Sequence, residues 1–266
     1  MKDKVVLITG GSSGIGKALA MEFGKNGAKI MITGRNLSNL QQTVEELRKL
    51  GIDIHATDTD VSIEEDNKKM VLDTVNIFGK IDVLICNAGI TMRALFQDLD
   101  LEVIKKLMDI NFYGLLYSTK ACLPEILKSK GSIIGISSIA GYRGLPGRTG
   151  YSASKFAMNG FLESLRTEML NTGVHVLTAC PGYTTSNIRK NALTKDGLRQ
   201  GESPRDENKM MSAEKCAKHI YNATVRRKNI LILTAQGRFI IWLNKFFPRL
   251  ADKLVYSAIS KEGKNK

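Results

Sequence analysis

Tyr151 and Lys155 stand four apart in a stretch of this 266-residue chain that is patterned as a helix, which puts them on one helical face. A phenol with a pKa near ~10 is a poor proton donor or acceptor at neutral pH, and a neighbouring ammonium favours the phenolate and lowers that value. The pair is suited to passing a proton to or from an oxygen. Taken alone, it is also what an ordinary surface Tyr/Lys pair looks like. It gains weight from two features upstream, Ser138 in Ile136-Ser137-Ser138 and a glycine-rich turn near the N-terminus.

That turn reads Thr9-Gly10-Gly11-Ser12-Ser13-Gly14-Ile15-Gly16 and runs into Lys17-Ala18-Leu19-Ala20. Its glycines allow a tight turn, a close backbone approach and close helix–strand packing. N–H groups at the following helix start can bind a pyrophosphate. A glycine turn without a ligand is the bland alternative. Here the turn follows a strand and opens a helix, the context a dinucleotide site requires.

Other chemistries find less support. His55, His175 and His219 are the only histidines, and none pairs with Cys, Asp or Glu at metal-ligand spacing, so no metal site is expected. Ser12-Ser13 is not in a G-x-S-x-G elbow, and no histidine stands where a hydrolase triad needs one.

The elements that must position these groups are legible. Strand candidates are Lys4–Thr9, Lys29–Thr33, Ile52–Thr57, Val83–Cys86, Ser132–Ile136, Val174–Cys180 and Asn229–Leu233. Helical patterns lie between them, among them Ile15–Asn26, Leu37–Leu50, Ile63–Phe78, Leu101–Lys128 and Ser152–Asn171. The alternation predicts α/β architecture, with a parallel sheet of about seven strands and helices on both faces. At 29.3 kDa with 43% hydrophobic and 24% charged residues, one globular domain over 1–266 is expected and global disorder is excluded. Two regions break the pattern. Residues 184–211 are polar and aperiodic, with Gly197, Gly201 and Pro204, which suits a substrate lid loop or a disordered segment. Residues 236–266 form a basic C-terminal tail, read as a helix over Gln236–Ser260 with Phe239, Ile240, Trp242, Leu243, Phe246 and Phe247 on one side.

No apolar run approaches the roughly 18 to 20 residues that span a bilayer, and Val5–Ile8 is too short for a signal-peptide core. Cys86, Cys122, Cys180 and Cys216 form no C-x-x-C pair. Reduced, buried thiols in a reducing compartment are expected. Of the net charge of +13, most lies in the tail, where ten Lys/Arg from Arg226 onward meet only Asp252 and Glu262.

The run Thr9 to Gly16 resembles the T-G-x-x-x-G-I-G of the classical short-chain dehydrogenases/reductases (SDR). The resemblance continues in order through Asp60-Val61, Asn87-Ala88-Gly89, Asn111, Ser138, Tyr151-x-x-x-Lys155 and Pro181-Gly182, over residues 4 to about 235. It implies a Rossmann-type doubly wound sheet and a nicotinamide cofactor held by Gly10, Ser12, Ser13, Gly14, Ile15, Gly16, Asp60, Val61, Asn87, Ala88, Gly89, Tyr151, Lys155, Pro181, Gly182, Thr184 and Ser186. By the same resemblance Tyr151 is the general acid in carbonyl reduction. Lys155 lowers its pKa and binds the nicotinamide ribose. Ser138 stabilises charge on the substrate oxygen, and Asn111 holds a water of the proton relay or, as a buried amide, satisfies backbone groups.

The second candidate strand ends in Gly34-Arg35 with no acidic residue. An acid there would accept from a free ribose 2′-hydroxyl and repel a 2′-phosphate. Arg35 instead offers a guanidinium fork, which favours NADP(H) over NAD(H). A solvated loop cation is the alternative.

Arg189, Lys190, Lys195, Arg199 and Arg205 suit an acidic substrate or a solvated loop, and Arg143 lies near Ser138 in sequence. From Tyr183 through Ala192-Leu193-Thr194-Lys195-Asp196-Gly197 to the basic end, the chain resembles the acyl/alkyl-dihydroxyacetone-phosphate reductase-like branch. That branch implies a lipid-like substrate and an N-terminal membrane helix, which is not expected in a chain whose first strand begins at residue 4. The leading expectation is an NADP(H)-dependent carbonyl reductase, or the reverse oxidation. Hydroxysteroid dehydrogenase and 3-oxoacyl thioester reductase share all the motifs. A non-catalytic NADP-binding regulator and a membrane-interface protein are readings of another class. Aromatics and cations in the tail suit an anionic membrane surface, or a helix packed on the domain or a second subunit. A cytoplasmic location, peripheral at a membrane if the tail binds one, is expected. A homodimer or homotetramer through Leu101–Lys128 and Ser152–Asn171 is implied by the resemblance. Nucleic acid is not an expected partner.

Overall fold

Side chains alternate across each strand, and that alternation decides what every helix covers. In β1 (Val5–Thr9), Val6 and Ile8 belong to one core cluster and Leu7 to another. In β2 (Lys29–Gly34), Ile30 and Ile32 side with the first cluster and Met31 with the second. Residues buried on both sides of a sheet require a helical layer on each face. The first layer is α1 (Gly14–Lys25), α2 (Leu37–Arg48) and α7 (Ala213–Val225). The second is α3 (Glu64–Phe78), α5 (Gly114–Ser129) and α6 (Thr149–Glu168). Fully buried side chains such as Phe23, Ile32, Leu84 and Leu162 each contribute about 1.5–3 kcal/mol. The computed structural model describes residues 1–202 and 210–264, the last four of these by backbone alone. Pro204, Arg205 and Lys266, and the side chains of Lys261, Glu262 and Lys264, lie outside the described residues.

The remaining strands are β3 (Ile54–Asp58), β4 (Val83–Cys86), β5 (Ser132–Ile136), β6 (His175–Cys180) and β7 (Ile230–Ile232). The seven pair in parallel in the order β3-β2-β1-β4-β5-β6-β7. This is a Rossmann-like doubly wound sheet. Its strand order reverses between β1 and β4, where ligands bind in such sheets. All four cysteines are free and buried.

Three sequence expectations need correction. The strand read from Ile52 begins at Ile54, because Gly51 at φ 77° and Ile52 are still turning out of α2. The helix read over Leu101–Lys128 is two helices, α4 (Leu101–Met108) and α5, joined by a π turn at Asp109–Tyr113. The helix read over Gln236–Ser260 is also two, α8 (Ala235–Phe246) and α9 (Pro248–Lys264). Pro248 lacks the N–H to continue α8 and suits the first position of α9. The tail's apolar residues also divide. Leu243 is buried, whereas Phe239, Trp242, Phe246 and Phe247 are each more than half exposed.

Of residues 184–211, the described ones, 184–202, 210 and 211, are irregular but anchored. Thr184 bridges Met211, and Leu193 bridges Met92 and Arg199. Leu193 also packs into a third small core with Met92, Leu99, Val103 and Leu107. Among the described residues no helix is long and apolar enough to cross a membrane.

Candidate active site

The glycine turn leaves the carboxyl end of β1 and forms the floor of a cleft of about 1410 Å³. Gly10 and Gly14 hold φ of 66° and 53°, a region costly for other residues. A Cβ on Gly16 would lie 2.1 Å from the Gly10 carbonyl oxygen, and one on Gly11 2.5 Å from Ile32. The turn is cross-braced to β4. Thr9 Oγ1 accepts from the N–H groups of Asn87 (3.0 Å) and Ala88 (3.1 Å), and Asn87 Nδ2 donates to the carbonyls of Thr9 and Gly10 at 3.0 Å. No side chain caps the start of α1, which leaves its first-turn donors for an anion.

Toward β2 and β3 the cleft is lined by Gly34, Arg35, Thr59, Asp60 and Val61. Arg35 is half exposed, with Nη1 3.7 Å from Asp60 Oδ2, a separation at which a surface pair contributes little. Thr59 Oγ1 is buried without a partner among the described residues. A glycine cradle that a Cβ would fill, uncapped helix donors and an orphan hydroxyl together fit a dinucleotide.

The opposite end gathers Ser138, Tyr151 and Lys155. Ser138 follows β5, and its Oγ accepts from the Ala140 N–H at 3.1 Å. Burial pushes the Tyr151 phenol above its ordinary value, against the opposing effects of a hydrogen bond with Ser138 and the Arg148 guanidinium. Lys155 is 4% exposed. Its Nζ donates to the Ile136 carbonyl at 2.9 Å and lies 5.8 Å from the centre of the Tyr151 ring. Burial pulls that ammonium down to about 8. The sequence reading has the ammonium lowering the phenol. In the structure desolvation dominates both groups and drives them apart, the phenol up and the ammonium down.

Asn111 sits in the π turn, a device frequent at functional sites. Its Nδ2 donates to the Ile90 carbonyl (3.0 Å) and Ser154 Oγ (2.9 Å), and its Oδ1 accepts from the Ile90 N–H (2.8 Å). Every residue expected at the site lines this cleft except Asn111 and Gly16, which stand directly behind it. Ser186 crosses the glycine turn so closely that a Cβ on Gly14 would lie 3.1 Å from its own.

Of the cations expected to face a substrate, Arg189 and Arg199 line the cleft, and Lys190 and Lys195 are exposed elsewhere. Arg189 Nη2 donates to the Thr184 carbonyl at 3.0 Å. Arg143 lines the cleft but is held by Asp252 of α9 at 2.6 Å. Sequence reasoning gives Arg148 only as the end of a loop, Gly141–Arg148, expected to shape specificity, and missed Lys106 and the cleft wall made by Phe239 and Ile240 of α8 and Leu254, Val255 and Ile259 of α9. No local motif marks these residues. Arg148, three before Tyr151, was within reach of a proximity argument.

A family model described as short chain dehydrogenase matches residues 4–197. Dehydrogenase/reductase SDR family member 7B of Rattus norvegicus is 33% identical over 274 residues, covering all of this chain and 84% of the relative. The 11-beta-hydroxysteroid dehydrogenase-like 4A protein of Arabidopsis thaliana is 36% identical over 249 residues, covering 93% of this chain and 82% of the relative. Among solved structures, a short chain dehydrogenase/reductase from Burkholderia phymatum in complex with NAD superposes with a TM-score of 0.84 at 22% identity, over 94% of this chain and 95% of that one. An alcohol dehydrogenase from Thermococcus sibiricus complexed with 5-hydroxy-NADP gives 0.76 at 22% identity, over 86% and 95%.

Proposed function

The chain belongs to the short-chain dehydrogenase/reductase family of oxidoreductases, and on that premise we propose that it reduces a ketone to an alcohol, or runs the reverse oxidation, with NADP(H) in preference to NAD(H). The observation that carries the reaction is the convergence of Ser138 and Tyr151 at the head of the cleft, with the buried Lys155 ammonium behind them. A bound nicotinamide supplies the hydride. Tyr151 delivers the proton to the carbonyl oxygen, and Ser138 hydrogen-bonds that oxygen as negative charge develops on it. Lys155 binds the nicotinamide ribose and reloads Tyr151. Asn111 fixes the backbone at Ile90 and offers the second lone pair of Oδ1 to a relay water.

The NADP(H) preference is supported by Arg35 just after β2, where Gly34 leaves space and Asp60 holds the guanidinium only loosely, at 3.7 Å. A fluorescence titration with NADPH and NADH tests it. Arg35→Ala is expected to weaken NADPH about 10- to 100-fold and NADH less than twofold. Equal effects on both would return Arg35 to the role of a solvated cation.

A second reading, a hydroxysteroid-type substrate, is favoured by the apolar wall of α8 and α9 and by the names of the Arabidopsis relatives. Assembly as a homodimer or homotetramer through α5 and α6 is supported by the exposed Leu127 and Phe156. Sedimentation as a monomer at micromolar concentration would remove it. Peripheral attachment to an anionic membrane is supported by the exposed ring cluster of Phe239, Trp242, Phe246 and Phe247 beside Lys245. Trp242 is the only tryptophan, so its emission should shift to the blue on phosphatidylserine vesicles. No shift would discard the attachment.

A further inference from the structure

We propose that Arg143 and Asp252 are positioning residues that set the specificity of the cleft. Their ion pair holds α9 against the loop carrying Ser138 and so brings an apolar wall up to a ketone held at Tyr151. The inference rests on the carbonyl-reductase reading for the reaction at that loop.

One partner is a fixed post. The loop after β5 closes on itself, with the Gly141 N–H donating to the Ser138 carbonyl and the Arg143 N–H to the Ile139 carbonyl, both at 3.0 Å. It is also pinned to α6, where Asn159 Nδ2 donates to the Gly141 carbonyl at 2.8 Å. A Cβ on Gly141 would lie 2.7 Å from that nitrogen and 2.8 Å from the Lys155 carbonyl oxygen. The loop therefore has no slack, and the backbone of Arg143 is placed relative to Ser138 and Lys155.

The other partner rides on an element held far less firmly. Ala251, Leu254, Val255, Ala258 and Ile259 form an apolar stripe at helical spacing along α9. The last four line the cleft, and Ala251 and Val255 are buried. Apolar contact is non-directional, so it keeps α9 on the wall without fixing where along it the helix sits. Among the described residues, the one polar side-chain bond from α9 to the rest of the chain is Asp252 Oδ1 accepting from Arg143 Nη2 at 2.6 Å.

Ion pairs at a surface usually contribute little. This one differs in its cation. The Arg143 side chain is 16% exposed and its Nε is buried without a partner among the described residues, whereas Asp252 is 64% exposed. Withdrawing Asp252 would leave a mostly buried guanidinium without a counter-charge, which is costly. The placement of α9 that seats Asp252 on Arg143 is therefore preferred over its neighbours. Leu254 and Val255 follow Asp252 within one helical turn, so the pair sets how closely they approach the head of the cleft. A ketone with a long apolar body senses that approach, and a small one does not.

The test uses the full chain and two readouts. Hydrogen–deuterium exchange of residues 248–260, followed by mass spectrometry in the presence of NADP⁺, reports how firmly α9 is held. Asp252→Asn should speed it about tenfold, with β5 and α6 at parental rates. Asp252→Glu, and Arg143→Asp combined with Asp252→Arg, should restore slow exchange. The second readout is steady-state reduction of 2-decanone and 2-butanone with NADPH. Asp252→Asn should raise KM for 2-decanone about three- to tenfold and leave its kcat within about twofold, with both constants for 2-butanone unchanged. Parental exchange rates in Asp252→Asn, equal effects on the two ketones, or no restoration by either compensating variant overturns the proposal. If the parent protein reduces neither ketone, the carbonyl-reductase reading is at fault, and the exchange rates alone decide whether the pair holds α9.

Discussion

The carboxamide of Asn111 grips Ile90 from both sides, accepting from its N–H at 2.8 Å and donating to its carbonyl at 3.0 Å. The π turn brings this about by widening the join between α4 and α5 and aiming a buried side chain at the segment just after β4. That segment leads to Thr91, whose hydroxyl accepts from Arg148, so one amide sets the floor beside the proton-transfer groups. Asn111→Leu strands two backbone groups. It should cost about 2–3 kcal/mol, read as a fall of about 5 °C or more in the thermal midpoint, with turnover reduced. A midpoint within 1 °C of the parent, by roughly the same scaling, would assign Asn111 no clamping role.

Tyr151→Phe removes one oxygen and leaves the ring. Turnover should fall about 10²- to 10⁴-fold, while NADPH affinity stays within about twofold. Stopped NADPH oxidation together with unchanged cofactor fluorescence is the expected pair of results. Retained turnover would move the proton donor elsewhere.

Lys155 couples stability to pH. In the unfolded chain it keeps its proton up to 10.5, and in the fold it releases it near 8. Between those values the unfolded state binds more protons, so stability rises with pH across that window and the residue adds no slope below it. Lys155→Met should abolish this rise and stabilise the cofactor-free protein by about 1–3 kcal/mol at pH 7, with turnover lost. Denaturant melts of both proteins at pH 7, 8, 9 and 10 give the difference directly. Parallel curves would mean that the ammonium is not desolvated.

Gly16→Ala tests the cradle. The added methyl would collide with the Gly10 carbonyl and Asn87 Nδ2, so the turn must open. A loss of about 1–3 kcal/mol is expected, together with NADPH affinity reduced at least about tenfold. Full affinity would show that the turn does not hold the cofactor.

Much of this was legible in the sequence, for local reasons. The β-branched runs between helical periods locate all seven strands, because strands buried on both faces must be apolar throughout. Glycines that no other residue can replace announce the turn after β1. The break at Pro248 was readable from proline's missing donor. The π turn was not, since Asp109–Tyr113 carries helix-compatible residues and the extra residue is imposed by packing against Ile90 and Ser154. The approach of the segment after β4 to the start of α6 rests on the Ala94–Gly147 bond, which no short-range pattern encodes. The pKa of Lys155 depends on burial, a property of the assembled cleft.

The wall built by α8 and α9 sets an order of completion during synthesis. Every strand and the whole glycine turn precede residue 235, so a growing chain acquires its nucleotide floor before its substrate chamber exists. A product ending there, from a late frameshift or a protease cut, would keep a full sheet and an open-sided cleft without the Arg143–Asp252 tie. Such a fragment would keep the nucleotide floor without the chamber that selects what meets it, a state that truncations farther upstream, which remove strands of the sheet, do not leave.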